Sequence, residues 1–122
     1  MNVVQWPARL SGSQNAREHH HARARRVKAE RGNALLMCRT KLRQPALWPV
    51  VIRLTRIGPR KLDSDNVQGS LKAVRDGVAD WLGLDDGDER ITWLYAQERG
   101  AYAVRVEVVP GEDLATWDEV LP

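Results

Sequence analysis

The chain has 122 residues, 43% of them hydrophobic, and this length predicts one domain with a single core rather than two full domains. Its one cysteine, Cys38, excludes an intramolecular disulfide, and no apolar run approaches the roughly 20 residues of a membrane span. The sequence also lacks the charged start and apolar stretch of a secretion signal. We therefore expect a cytoplasmic protein that does not enter a membrane.

The formal net charge of +3 conceals an asymmetry between the two halves of the chain. Residues 1–61 contain 14 Lys and Arg against 2 Asp and Glu, whereas residues 62–122 contain 5 against 14. A basic half favours a polyanionic partner and an acidic half favours metal ions, so the pattern suggests metal-dependent chemistry on nucleic acid. Two solvated faces of opposite charge that attract each other within the fold would give the same pattern.

The first third of the chain predicts a short strand at 2–6 and a basic helix over about 14–43. The second half of this helix has an apolar face that includes Ala34 and Leu42, but the first half has almost none. We expect the first half to project as a basic helix, or as an arm that orders on a partner. Its candidate phosphate contacts are Arg17, Arg23, Arg25, Arg26, Lys28 and Arg31.

Two other features of this helix are interpreted as structural. His19, His20 and His21 are consecutive, and consecutive helical side chains point about 100° apart, so they cannot converge on one metal ion. Cys38 lies on the apolar face of the helix, where a buried thiol is favoured over a nucleophile.

Alternating apolar residues predict three further strands, at 50–57, 91–97 and 102–109. A helix separates the first two, which predicts a right-handed β-α-β crossover with parallel strands. The turn-like sequence Glu98-Arg99-Gly100 separates the last two, which are expected to form an antiparallel hairpin.

The predicted fold is therefore α+β, with a mixed sheet packed against two helices in one domain over 1–122. The core of this domain is expected over 48–109. The residues from 110 to 122 are acidic and are expected to form a tail on the surface.

Between the predicted crossover strands lie two groups of aspartates. Asp63 and Asp65 are one residue apart, so in extended backbone their side chains point to the same side. The second group is Asp85, Asp86 and Asp88. A helix with an apolar stripe joins the groups and extends for roughly 24 Å at 1.5 Å per residue. The two groups can meet only if the loop after this helix folds back, or if a second subunit supplies one of them.

Residues that commonly cap helices lie at both ends of the helix between the two groups. Asp65 or Asn66 is expected to supply the N-cap oxygen. Gly83 follows the last apolar residues as the expected C-cap.

Converging aspartates are suited to hydrolysis of a phosphodiester. Mg²⁺ prefers oxygen ligands and can activate water and neutralise developing negative charge, and a nearby lysine can hold the phosphate or the leaving group. Aspartates near a helix start are also common caps, and a DDGD sequence is also a common surface turn. The residue types alone therefore leave the catalytic and structural interpretations open.

The strings LDSDN, SLKAVRD and LDD resemble the signature of the RusA-type Holliday junction resolvases, and the resemblance covers residues 48 to 109. It implies a homodimer that cuts four-way DNA junctions by paired nicking of two strands, with Mg²⁺, or Mn²⁺ as an alternative ion. It places two metal ligands on Asp63 and Asp65 and a helper lysine on Lys72. Lys72 lies seven residues after Asp65, rather than the four that are typical of the family.

The third ligand implied by the resemblance is Asp86, with Asp85 and Asp88 as alternatives. Arg60 and Lys61 directly precede the aspartate pair and join the candidate DNA contacts. Two other functions fit the same sequence: a nucleic-acid-binding module without catalysis, in which the aspartates are caps and turns, and an interaction protein whose acidic half binds a basic partner.

Overall fold

The computed structural model of the chain describes residues 2–10 and 20–111, which form one small α+β domain. The elements in chain order are β1 (Asn2–Pro7), α1 (His20–Lys41), β2 (Val50–Gly58), α2 (Ser64–Ser70), α3 (Lys72–Leu82), β3 (Ile91–Arg99) and β4 (Ala103–Pro110). Within the described residues, no helix has the length and apolar character needed to cross a membrane. The predicted loop at 11–13, part of the predicted helix and most of the predicted acidic tail lie outside the described residues.

The four strands form one mixed sheet in the order β1-β4-β2-β3. β2 and β3 are parallel, with Val50 opposite Ile91, as the predicted crossover requires. The right-handedness of this crossover stays a prediction.

The predicted hairpin between β3 and β4 is wrong, because β4 pairs antiparallel with both β2 and β1. The short connection after β3 crosses the end of β2, where the Gly100 N–H donates to the Gly58 carbonyl at 3.1 Å. Val104, Val106 and Val108 of β4 are thereby buried, while the more polar β3 stays at the edge of the sheet.

One face of the sheet carries the main hydrophobic core. The alternation predicted for β2 is confirmed, because Val50, Ile52 and Leu54 all point into this core. β4 contributes Val104, Val106 and Val108 to the same face, and α1 and α3 cover it. Sheet and helices therefore form the two layers of the domain.

The two halves of α1 differ as the sequence predicts. Only Ala34 and Cys38 of this helix are buried, and both lie in its second half. Burial raises the pKa of the Cys38 thiol to about 12, which fits a structural thiol rather than a nucleophile. The first half is not anchored in the core.

The contact between α1 and α3 depends on Gly77. A Cβ added at this position would overlap the Arg31 carbonyl oxygen and lie 2.7 Å from the Cβ of Ala34. Near this crossing, Arg31 donates two hydrogen bonds to the Asp80 carboxylate, at 2.7 and 2.8 Å. Asp80 therefore has a reduced pKa, and Arg31 is used to join the two helices.

The predicted single helix after the aspartate pair is interrupted at Leu71, where α2 ends and α3 begins. Two features of the preceding turn weaken the helix at this point. Gly69 has a low helix propensity, and the Ser70 hydroxyl donates back to the Val67 carbonyl at 2.8 Å. The predicted C-cap is confirmed, because Gly83 adopts the left-handed conformation with φ 72°.

The opposite face of the sheet carries an ion pair that the sequence analysis did not predict. Arg53 and Glu107 lie directly opposite each other on β2 and β4 and share two hydrogen bonds of 2.8 Å. The Glu107 side chain is only 8% exposed. Because the register of the two strands brings these charges together, the pair stabilises this register against a shift.

Candidate functional site

The aspartate pair lies just beyond the carboxyl end of β2, at the start of α2. Asp63 occupies the N-cap position and Asp65 lies in the first helical turn, so the predicted N-cap at Asp65 or Asn66 is wrong. The Asp63 side chain makes no capping hydrogen bond, although its backbone carbonyl accepts from the Val67 N–H at 2.9 Å. Both carboxylates are exposed to solvent. Their side chains have no hydrogen-bond or ion-pair partner among residues 2–10 and 20–111.

Two hydrogen bonds clamp the backbone that precedes this pair to β3. The Leu62 N–H donates to the side-chain oxygen of Gln97 at 2.9 Å, and the Gln97 amide donates to the Leu62 carbonyl at 2.8 Å. These two bonds fix the backbone one residue before Asp63 against the carboxyl half of β3. The pair therefore has a defined position in the fold, even though its side chains are exposed.

The second group of aspartates lies on the loop between α3 and β3, which folds back along α3. Lys72, at the start of α3, donates to the Asp86 carboxylate at 2.9 Å and also to Asp76 at 2.9 Å. This return brings Asp86 toward the beginning of the helix, although Asp86 follows its end in the sequence. The folding back that the sequence analysis required is present, and it unites Asp86 with Lys72 rather than with Asp63 and Asp65.

Asp86 is held by a second cation, Arg75. The Arg75 guanidinium donates to the Asp86 carboxylate at 3.0 Å and to its backbone carbonyl at 3.1 Å. The same carbonyl accepts from the indole N–H of Trp93 at 2.8 Å, and Arg75 also donates to the Tyr95 hydroxyl at 2.7 Å. The guanidinium lies 4.8 Å from the centre of the Trp93 ring, which adds a cation–π contact.

The electrostatic consequence is that the bonds to Asp86 favour its anionic form. The hydrogen bond from Lys72 is the main cause of the lowered pKa of Asp86, and the charges of Lys72 and Arg75 act in the same direction. The bonds to Asp86 and Asp76 raise the pKa of Lys72 in turn. The negative charge of Asp86 is therefore compensated inside the chain.

The alternative third ligands also have partners within the loop. The Asp85 carboxylate accepts from the Gly87 N–H at 3.0 Å, which is a local turn contact. Asp88 accepts two hydrogen bonds from the Arg90 side chain, at 2.9 and 3.0 Å, and one from the Arg90 N–H. These bonds lower the pKa of Asp88 to about 2.

The described residues of one chain do not assemble the metal site that the resemblance implies. Among them, no group of three or more His, Cys, Asp or Glu side chains is placed to hold a metal ion. Asp63 and Asp65 offer two exposed carboxylates, but the aspartates of the loop precede β3 and the pair follows β2. Because β2 and β3 are parallel, the loop and the pair join the sheet at opposite ends, and the return of the loop brings Asp86 to Lys72 rather than to the pair. A Mg²⁺ site with three carboxylates does not fit within the described part of a single copy.

Comparisons with known proteins identify a relative but not a function. No family model matches the chain. An uncharacterized protein of Xylella fastidiosa (strain Temecula1 / ATCC 700964) is 39% identical over 93 residues, which cover 69% of this chain. The chain spans 58% of the length of that relative.

The candidate DNA contacts fall into two classes. Arg23, Arg25 and Lys28 are exposed on the first half of α1, and Arg60 and Lys61 are exposed between β2 and the aspartate pair. Arg26 instead forms an ion pair of 3.4 Å with Glu30. Arg31 is bound to Asp80, as described above, and Arg17 lies outside the described residues.

Three residues of the site were missed by the sequence analysis: Arg75, Trp93 and Tyr95. Arg75 lies three residues after Lys72, so both face one side of α3, which is a signal that the sequence offered. Trp93 and Tyr95 alternate on β3 and therefore share the helix-covered face. Their bonds to Asp86 and Arg75 could not be predicted, because they depend on the return of the loop.

The described residues also line a cavity of about 540 Å³, which contains none of the predicted site residues. It lies at the end of α1, between Lys41, Arg43, the connector to β2 and the end of β4. Exposed apolar side chains, Leu47 and Trp48, belong to this connector. The candidate site and the cavity are therefore separate features of the surface.

Proposed function

We propose that this protein is a structure-selective endonuclease that cuts Holliday junctions or other branched DNA by paired nicking of phosphodiester bonds. Its expected cofactor is Mg²⁺, with Mn²⁺ as an alternative, and its expected form is a homodimer. The observation that carries the proposal is the state of Asp63 and Asp65. They are exposed and without partners among the described residues, while their backbone is clamped to β3.

The chemistry of the surroundings supports this proposal. Carboxylates that stabilise a fold usually accept hydrogen bonds from backbone N–H groups or cationic side chains, as Asp80, Asp86 and Asp88 do here. No described residue donates to the side chains of Asp63 and Asp65, so within this part of the chain their lone pairs are open to an added group. Arg60 and Lys61 lie beside them and can attract and position the phosphates of a DNA strand.

A non-catalytic nucleic-acid-binding module is the second candidate, and one observation favours it. All three loop aspartates have partners inside the chain, so the described part of a single copy offers only two unpaired carboxylates at the candidate site. In this alternative, the exposed cations of α1 bind phosphates and the aspartates only shape the turns. The two candidates share DNA binding and differ in cleavage.

The experiment that separates them is a nicking assay on a synthetic four-way junction in Mg²⁺, with linear duplex of the same sequence as substrate control. The wild type is compared with Asp65→Asn and with Asp80→Asn, which removes a carboxylate from the α1–α3 contact. We expect the wild type and Asp80→Asn to nick the junction and Asp65→Asn to bind without nicking. If the wild type nicks no junction, only the binding-module proposal remains. If Asp65→Asn nicks at the same rate as the wild type, the carboxylate pair has no part in the chemistry.

DNA binding itself can be assigned to α1 by its salt dependence. Replacing Arg23, Arg25 and Lys28 together by glutamine should weaken binding at all sequences alike. It should also flatten the slope of log K against log[salt] by about 0.9 for each phosphate that the variant no longer neutralises. A matched control replaces Arg90 and Arg105, which have ion-pair partners within the chain, and should leave the slope unchanged. An unchanged slope in the α1 variant would place the DNA surface elsewhere.

A further inference from the structure

Arg56 is a buried cation near the carboxyl end of β2, on the face of the sheet that α1 and α3 cover. It follows Leu54 by two residues, so both side chains point to the same side of the sheet. The residue is only 6% exposed, yet no carboxylate among the described residues pairs with it. A buried charge without a partner is costly, because it loses contact with water and gains no opposite charge in return. Packing alone therefore does not favour an arginine at this position.

The Arg56 side chain bonds instead to the segment that leads to the aspartate pair, residues 59–62, which form the 59–62 loop. The guanidinium donates to the backbone carbonyl of Arg60 in this loop. Gln97 lies directly opposite Arg56 on β3 and points to the same face of the sheet. Its side chain bonds to both the N–H and the carbonyl of Leu62. Two neighbouring side chains of the sheet thus hold three backbone groups of the 59–62 loop.

Gly58 leaves open the space that the guanidinium occupies. A Cβ added at Gly58 would lie 2.6 Å from the Nη2 atom of Arg56 and 2.8 Å from its Cζ atom. The three heavy atoms nearest to this Cβ all belong to Arg56, so the side chain lies folded over the glycine. The Gly58 carbonyl accepts from the Gly100 N–H at 3.1 Å, which fixes the end of β2 itself. The missing side chain at residue 58 therefore lets Arg56 reach the 59–62 loop from inside the fold.

The three bonds to the 59–62 loop decide how the chain enters the aspartate pair. The backbone groups of Arg60 and Leu62 bond inwards, whereas the side chains of Arg60 and Lys61 are exposed. Leu62 directly precedes Asp63, so a movement of the loop shifts this carboxylate. Misplacing a reacting group by about 1 Å can lower a rate by about a hundredfold. The position of the loop is therefore more important for cleavage than for the overall charge that attracts DNA.

We propose that Arg56 is a positioning residue for DNA cleavage. From beneath the 59–62 loop, it holds the backbone in the conformation that presents Arg60 and Lys61 to the DNA phosphates and Asp63 to the reacting group. The inference rests on the proposed function, because cleavage is the reaction that this positioning serves. Arg56 acts through the loop and does not itself contact the substrate.

Hydrogen exchange of backbone amides tests the positioning without any activity. Arg56→Met keeps much of the apolar stem and removes the donor to Arg60. We expect the Leu62 N–H to exchange about tenfold faster in this variant, while the N–H groups within β2 exchange as in the wild type, because only the loop loses an anchor. Gln97→Leu removes both bonds to Leu62 and is the positive reference. Unchanged exchange at Leu62 in Arg56→Met would overturn the proposal.

Gly58→Ala displaces the guanidinium without altering Arg56 itself. The added Cβ overlaps the guanidinium, so this variant should speed exchange at Leu62 as Arg56→Met does. Combined with Arg56→Met, it should add little, because no guanidinium is left to displace. Additive effects of the two substitutions would show that Gly58 and Arg56 act independently, and would contradict the proposed route from the sheet to the loop.

Single-turnover nicking of a four-way junction separates positioning from binding. At saturating protein we expect the nicking rate of Arg56→Met to fall about ten- to a hundredfold, as a shift of about 1 Å in a reacting group predicts. Junction affinity should stay within severalfold of the wild type, since the exposed side chains of Arg60 and Lys61 are retained. An unchanged nicking rate in Arg56→Met, beside an active wild type, would restrict Arg56 to a structural role and overturn the proposal.

The matched control removes the ion pair on the opposite face of β2. Arg53→Met combined with Glu107→Leu takes away both partners, so no buried charge is left unpaired. This variant should nick at the wild-type rate even where its stability changes, and a fall as large as that of Arg56→Met would overturn the proposal. A wild type that nicks no junction would refute the proposed function, whereas hydrogen exchange at Leu62 would still decide whether Arg56 holds the loop.

Discussion

The two acidic regions of this protein are similar in sequence and opposite in their surroundings. Asp86 and Asp88, on the loop before β3, each accept hydrogen bonds from arginine or lysine side chains. Asp63 and Asp65, after β2, accept none from the described residues. An acidic cluster in a sequence is therefore not evidence of a site until the cations around it are located. Asp86 holds the loop against α3, whereas the side chains of Asp63 and Asp65 have no partner among the described residues.

The largest expected difference between the two regions is in cleavage. Asp65→Asn should abolish nicking of a four-way junction, because it replaces an anionic oxygen with a neutral one of nearly the same shape. Its free energy of unfolding should stay within about 0.5 kcal/mol of the wild type, since the carboxylate makes no contact with the described residues that the fold needs. Nicking assays and urea denaturation of the same preparation measure both quantities. A large loss of stability would show that Asp65 has a structural partner.

The next largest effect should be on stability, and it should come from the loop. Arg75→Met keeps much of the apolar stem but removes the bonds to Asp86 and Tyr95 and the contact with the Trp93 ring. Because several of these bonds are charge-assisted, we expect a loss of about 2–3 kcal/mol in the free energy of unfolding. Lys61→Met, beside the aspartate pair, is the matched control and should change stability little. Equal stability of the two variants would remove the contrast between the regions.

Replacing Lys72, at the start of α3, tests whether this lysine acts in catalysis or only holds the loop. Its side chain is 58% exposed, so its ion pairs with Asp76 and Asp86 are screened by solvent. Lys72→Met should therefore cost only about 0.5 kcal/mol of stability. If Lys72 also acts on the scissile phosphate, the nicking rate should fall while junction affinity stays within severalfold. An unchanged rate would restrict Lys72 to holding the loop.

The smallest expected effect is the response of the loop to acid. Asp86 and Asp88 have pKa values lowered from an ordinary value of 3.8, in the case of Asp88 to about 2. The unfolded chain therefore binds more protons than the folded chain, so these groups stabilise the fold above their ordinary pKa and lose this contribution as the pH falls through their folded pKa. Stability should decline between about pH 4 and pH 2. Denaturation of the wild type and Asp86→Asn across this range should show a weaker decline in the variant, and parallel curves would assign the acid response to other groups.

Much of the local structure could be predicted from the sequence because it depends on short-range patterns. Alternation predicted β2 and the buried face of β4, the missing apolar stripe predicted that the first half of α1 is not anchored in the core, and Gly83 predicted the end of α3. The parallel pairing of β2 and β3 followed from the helices between them. Cys38 was correctly placed in the core.

Contacts between distant parts of the chain decided the rest. The sequence favours a β3–β4 hairpin because the turn is short, yet β4 inserts between β1 and β2, where its valines are buried on the core face. The break at Leu71 was instead a local feature that the apolar stripe concealed, since Gly69 and the Ser70 hydroxyl weaken the helix there.

The tertiary structure also decided which aspartates have cationic partners. Sequence alone determined that carboxylates are concentrated at the two ends of the crossover, since spacing and residue type are local. Only the fold decided which of them are neutralised, because the loop returns to Lys72 and Arg75 through contacts between residues that are far apart in the chain. Asp63 and Asp65 receive no cation from the described residues. They follow β2, whereas the loop precedes β3, and parallel strands begin at one end of the sheet and finish at the other.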